Sequence, residues 1–318
     1  LLGPGQRLTL LRERAGLDHV QIDNFNRICC PDPAGLDFFL YDISWVNFCN
    51  GEPDVDAIAD ETGITIRDLT TLRTAMAAIF EQQAPCAVAV KSQHAYSRTL
   101  LWQERSDEEA AQALAHYLNE PAAMTGAERL ALGDWCLARG VELATEHNLP
   151  FKIHTGYYAG HSRMPTDYIR AGHLARLLAK YPAARFVLMH TAYPYGNELI
   201  ALAKHYPNVY VDLCWAWSID PYSTSDFVRR YIHAVPANKL FVFGGDTTWP
   251  TAALAYTAQT RHWLARTLQA EVDDALLSEP TAIALAERFM RTNQYECFQI
   301  DEKRRQIRDV ADRQTQTA

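Results

Sequence analysis

Four side chains able to ligate a cation or move a proton lie near the ends of short apolar runs. They are Lys91 in CAVAVKS, His154 in PFKIHTG, His190 in RFVLMHT and Asp246 in KLFVFGGDT. Two imidazoles, a carboxylate and an amine at one structural position could hold a divalent cation with an open coordination position, activate a water and relay its proton. Each has a plainer account taken alone: a strand-end histidine is usually hydrogen-bonded, Asp246 could cap the next helix, and Lys91 could pair with Asp246. Their shared position favours a common site. With a period of two, Ala87, Ala89 and Lys91 share a face, as do Phe186, Leu188 and His190, and Leu240, Val242, Gly244 and Asp246. The four polar groups are therefore expected to converge on one mouth. Lys152 lies on the face of His154 but about 6–7 Å deeper at strand rise, which suits an internal charge partner better than a ligand.

The elements that must carry these residues alternate along the chain. Strand candidates are 19–25, 37–45, 86–92, 150–156, 185–191, 208–215 and 239–247, with amphipathic helical patterns between them. Ser106 with Glu109, and Thr125 with Glu128, each fit a capping box. Near-continuous apolar strands separated by helices imply a parallel sheet covered on its outer face. The expected fold is a single α/β domain over 1–318, a (β/α)8 TIM-type barrel, with an open doubly wound sheet as the alternative. Seven strands is one short of eight. Leu8 to Gly16 reads as a helix that leads into the first visible strand, so the missing strand is expected to be strand 1, lying upstream of Leu1.

Composition excludes several classes. Of 318 residues, 48% are hydrophobic, enough for a large core, and the net charge of −8 with no basic block argues against nucleic acid. No apolar run reaches the roughly 18 residues of a membrane span, and no leader pattern opens the chain. Seven cysteines without CxxC spacing suit reduced thiols in the cytoplasm.

Loops supply the expected substrate contacts. GYYAGHSRMPTD (156–167) is long, aromatic and basic, as a pocket lid would be, and His161 and Arg163 could meet a substrate carboxylate. His94, Tyr96 and Arg98 follow Lys91, and the planar fork of Arg98 matches a carboxylate. Tyr193, Trp215 and Trp217 could wall an aromatic or apolar substrate.

In KSQHAYSR (91–98), FKIHTG (151–156), the long run 185–217 and PANKLFVFGGDT (236–247), the chain resembles the amidohydrolase superfamily, in its amidohydrolase-related (amidohydrolase 2) branch. The resemblance implies a metal-bearing barrel. His154 would be the fifth-strand ligand, His190 the sixth-strand histidine and Asp246 the eighth-strand aspartate, with Lys91 a carboxylated lysine bridging two metals. The family's first-strand His-x-His pair occurs nowhere in the sequence. The chain as given is therefore expected to hold metal poorly.

The implied activity is a metal-dependent hydrolase, with one or two zinc ions and with Asp246 as general base and acid on a C–N amide-like, ester or lactone bond. Its substrate would be a small carboxylate-bearing or aromatic compound. Two alternatives stay open: a single-metal decarboxylase of the same branch, with His190 handling a proton, and a non-catalytic barrel used for binding. Homo-oligomers are common among such barrels.

Overall fold

The computed structural model describes residues 3–160 and 163–317. They contain seven strands in one parallel sheet, ordered as they occur in the chain: β1 Val20–Ile22, β2 Phe39–Ser44, β3 Ala87–Ser92, β4 Phe151–Ile153, β5 Phe186–Met189, β6 Val209–Asp212 and β7 Leu240–Phe241. Every strand falls inside a stretch expected from the sequence, and all seven are shorter than expected. Among the described residues β7 and β1 are not paired, so the barrel wall has seven staves.

Helices cover the outside. The Ser106 and Thr125 side chains each accept a hydrogen bond from the amide three residues on, and their own amides donate back to the Glu109 and Glu128 carboxylates, so both capping boxes form. The N-terminal helix starts earlier than expected, running Pro4–Thr9 and continuing as a π-turn through Arg14, and Gly16 at φ +62 ends it.

Register shows which way each side chain points. Residues paired across a parallel ladder face the same side. Val90, Phe151 and Phe186 are aligned with Val209, and Ile153 and Leu188 with Val211 and Leu240. All of these are buried apolar residues under the helices. Each fully buried side chain of this kind contributes roughly 1.5–3 kcal/mol. The opposite face carries the charged residues of the sheet among apolar ones: Asp42 aligns with Ala89, Ser44 with Lys91, Lys91 with Lys152, and Met189 with Asp212.

That face is the barrel interior, because Lys152 reaches past β3 to bond both carboxylate oxygens of Asp42 at 3.0 and 2.8 Å. Lys152 is thus the internal charge partner expected of it. Beneath it the ring of Phe298, from helix Asn293–Phe298, lies 5.1 Å from Nζ and 5.4 Å from the Phe241 ring, closing the lower end.

Register also corrects two expectations. Phe186 and Leu188 do share a face, and Leu240 and Val242 would share another, but both are outer faces. Val187, Met189 and Phe241 are the inward residues of β5 and β7. Simple alternation would therefore carry His190 and Asp246 away from the mouth. What returns them is backbone beyond the strand ends. His190, Thr191 and Ala192 have φ of 62, 53 and 49°, and Asp246 has φ 45°. No helix among the described residues is long and apolar enough to cross a membrane.

Candidate active site

Lys91 and His154 enter the mouth from the inner face of β3 and from just past β4; the His154 amide extends the ladder by bonding the Ser92 carbonyl at 2.9 Å. The left-handed run after β5 brings the His190 ring to 4.5 Å from that of His154, centroid to centroid. Gly156 makes this turn possible. It sits at φ +76 against the Tyr193 amide, where an added Cβ would lie 2.5 Å from that nitrogen and 2.6 Å from the Ala192 carbonyl carbon. Gly156→Ala is therefore expected to cost about 1–3 kcal/mol, read as a lowered urea midpoint.

Both imidazoles are fully or nearly fully buried. Burial holds His154 well below the usual histidine range, with His190 and Lys91 adding to the effect. It also lowers His190, against an upward pull from Asp246. Both rings are thus neutral near pH 7. Nε2 of His154 donates to the Tyr157 carbonyl at 3.1 Å, whereas Nε2 of His190 is buried with no partner among the described residues. An orphaned imidazole nitrogen with its lone pair available suits a divalent cation.

The remaining predicted residues divide. Lys91 is buried with Nζ 2.8 Å from Met189 Sδ, a weak acceptor, and among the described residues no carboxylate lies within ion-pair reach of it. The pairing of Lys91 with Asp246 is therefore not made. Asp246 is exposed at the rim, and the helix after it, Pro250–Asp273, begins beyond Trp249 rather than on an Asp246 cap. Among the described residues, no three His, Cys, Asp or Glu side chains are grouped to hold a metal ion. The structure brings two imidazoles together at the mouth, and among the described residues it does not close a ligand set around them.

Trp215 stands edge-on to His190 at 6.0 Å and lies 5.7 Å from Tyr157, which in turn is 6.3 Å from Tyr193. These rings form an aromatic rim beside His190. Tyr96 lies 4.7 Å from His154 and stacks on Tyr158. Trp217 belongs to the core, its Nε1 bonded to the Val242 carbonyl at 2.9 Å.

His94 and Arg98 are not at the mouth. Ser92, one residue past the inward Lys91, faces outward, and His94 Nδ1 bonds its Oγ at 2.8 Å. The Arg98 guanidinium is taken up by the Asp134 carboxylate, the Cys49 carbonyl at 3.2 Å and the Thr99 carbonyl at 3.1 Å. It anchors the β3 loop to helix Gly126–Glu146 rather than waiting for an anion. His161 lies outside the described residues, and Arg163 is exposed.

Sequence reasoning missed two residues. Tyr157 was read only as part of a lid. Asp212 ends the inner face of β6 as Lys91 ends that of β3, and alternation with Tyr210 would have found it. Burial pushes the Asp212 carboxyl from 3.8 up to about 6, against the lowering pull of the Cys214 amide, Lys152 and Lys91. Between those values the folded chain keeps a proton that the unfolded chain releases, so stability falls as pH rises through that window. The loss is expected to be at most about 3 kcal/mol, and Asp212→Asn should flatten it in denaturant titrations from pH 4 to 7.

A family model described as amidohydrolase matches residues 86–279. Protein fluG of Emericella nidulans is 31% identical over 166 residues, which make up 49% of this chain and 19% of that protein. The match thus spans about a fifth of the curated relative. A Lactobacillus casei structure described as a metal-dependent hydrolase superposes with a TM-score of 0.73 at 15% identity, covering 95% of this chain and 78% of that one. The uronate isomerase of Thermotoga maritima gives 0.73 at 14% identity, covering 82% and 61%. These likenesses establish the fold: a TIM-type barrel with one strand fewer than eight.

Proposed function

Because the chain belongs to the amidohydrolase family, we propose that it is a metal-dependent hydrolase whose reaction takes place at the mouth around His154 and His190. The bond cleaved is a C–N amide-like bond or a related ester or lactone. The observation that carries this reading is the buried, neutral His190, its Nε2 unpartnered among the described residues and its ring against that of His154. His154, His190 and Asp246 are the residues that would hold a divalent cation, and zinc suits imidazole and carboxylate donors. Such a cation supplies an acidic water near neutral pH and polarises a carbonyl.

The chain's own residues do the rest. Asp246, at the rim, accepts a proton and returns it to the leaving group. Tyr157, Tyr193 and Trp215 bracket an aromatic or apolar part of a small substrate and limit water access. Lys91 is buried without a carboxylate partner among the described residues, so its amine is available for carboxylation, which would turn it into a bridging anion between two cations. The cysteines are unpaired, which fits a reducing cytoplasm.

A second reading is favoured by the aromatic rim: decarboxylation of an aromatic or unsaturated carboxylic acid on one metal. Zinc loading followed by elemental analysis, with amide, ester and lactone hydrolysis and carbon dioxide release assayed in parallel, separates the two. In a protein that also supplies the first-strand His-x-His pair, two metals with hydrolysis is the expected result, whereas the chain as given is expected to load metal poorly. One metal with carbon dioxide release replaces the first reading by the second. A metal-free, inactive protein that does carry that pair overturns both and leaves a binding barrel.

A further inference from the structure

The turn after β6 uses every backbone amide it has. The Leu213 amide donates to the Phe241 carbonyl at 2.8 Å, Cys214 to Asp212 Oδ1 at 2.8 Å, Trp215 to the Gly244 carbonyl at 2.7 Å and Ala216 to the Leu213 carbonyl at 2.9 Å. Trp215 is left-handed at φ 65°, and Gly244 approaches so closely that a Cβ there would meet Cys214 Sγ at 2.4 Å. The peptide plane between Cys214 and Trp215 is therefore gripped at its N–H end, and the plane before it is gripped by the Asp212 side chain. The carbonyl so aimed, that of Cys214, lies 2.6 Å from His190 Nδ1. A carbonyl only accepts, so this contact requires the imidazole proton on Nδ1 and leaves the lone pair on Nε2, the atom without a partner.

We propose that Asp212 is a positioning residue for His190: its Oδ1 holds the 213–215 turn so that the Cys214 carbonyl fixes the tautomer and aim of the imidazole. The side chain acts through a backbone group and touches neither substrate nor cation. Outer partners of this kind shape what a histidine can do, and their loss typically costs about 10–100-fold in affinity or activity. The inference rests on the reading of His190 as a working residue, but its primary test needs no turnover.

The test is the imidazole nitrogen spectrum of His190 in the isotopically labelled full chain, by long-range proton–nitrogen correlation near neutral pH. The wild-type chain is expected to show one tautomer, protonated on Nδ1. Asp212→Ala should show both tautomers. Asp212→Asn, which keeps an oxygen acceptor for the Cys214 amide, should restore the single form. Wild-type protonation on Nε2 overturns the proposal, as does an Asp212→Ala spectrum unchanged from wild type. If the alanine variant does not fold, the wild-type and asparagine spectra decide: a mixed tautomer in Asp212→Asn overturns the role of the oxygen acceptor. Where turnover is measurable, Asp212→Ala should lower kcat about tenfold with KM little changed, and Asp212→Asn should recover it. An inactive wild-type chain with the Nδ1 tautomer would sink the hydrolase reading while leaving this inference standing.

Discussion

Asp246→Asn is expected to lower turnover by at least about a hundredfold, the usual contribution of a positioned general base. The substitution tests chemistry rather than folding. Asp246 is exposed and left-handed at φ 45°, a conformation that asparagine adopts readily, so the backbone beyond β7 should survive. The carboxamide cannot take up a proton. Bound metal, counted on the same sample, separates two roles. Turnover lost with metal retained identifies a proton carrier, and turnover lost with metal lost identifies a ligand. Near-normal turnover removes Asp246 from the reaction.

The second large effect concerns stability. Removing the carboxylate in Asp42→Leu leaves the Lys152 ammonium inside the barrel with its hydrogen bonds broken, both residues being at least 95% buried. Breaking one side of a buried pair costs about 3–5 kcal/mol, to be read by equilibrium urea denaturation. The double variant Asp42→Leu/Lys152→Met should recover most of that loss, because no charge is then left alone in the interior. A single variant as stable as wild type would mean that water or a counter-ion reaches Lys152 from the mouth.

The sequence revealed the strands, the capping boxes and the internal role of Lys152, because these follow from local patterns of period and composition. It also named the two histidines that come together. It misjudged how they arrive. Alternation was applied straight through the ends of β5 and β7, where the chain stops being a strand, so His190 and Asp246 were assigned to faces that in fact pack under helices. The correct parity was nonetheless written in the residues at β4: Lys152 and His154 flank the outward Ile153. Arg98 was misread for a different reason. A guanidinium near a predicted mouth looks like an anion anchor until the partner, Asp134, is brought up from a helix some 36 residues away. Long-range pairing of that kind has no local signature.

Three successive left-handed residues, none of them glycine, hold the His190 imidazole where it is. Each is a conformation that glycine would adopt at lower cost. A laboratory selection for heat resistance would thus be drawn to glycine at Thr191 or Ala192, and the winners would survive boiling better while losing the rigidity that keeps the ring on target. Anyone engineering this chain should screen robustness and reactivity together at those two codons.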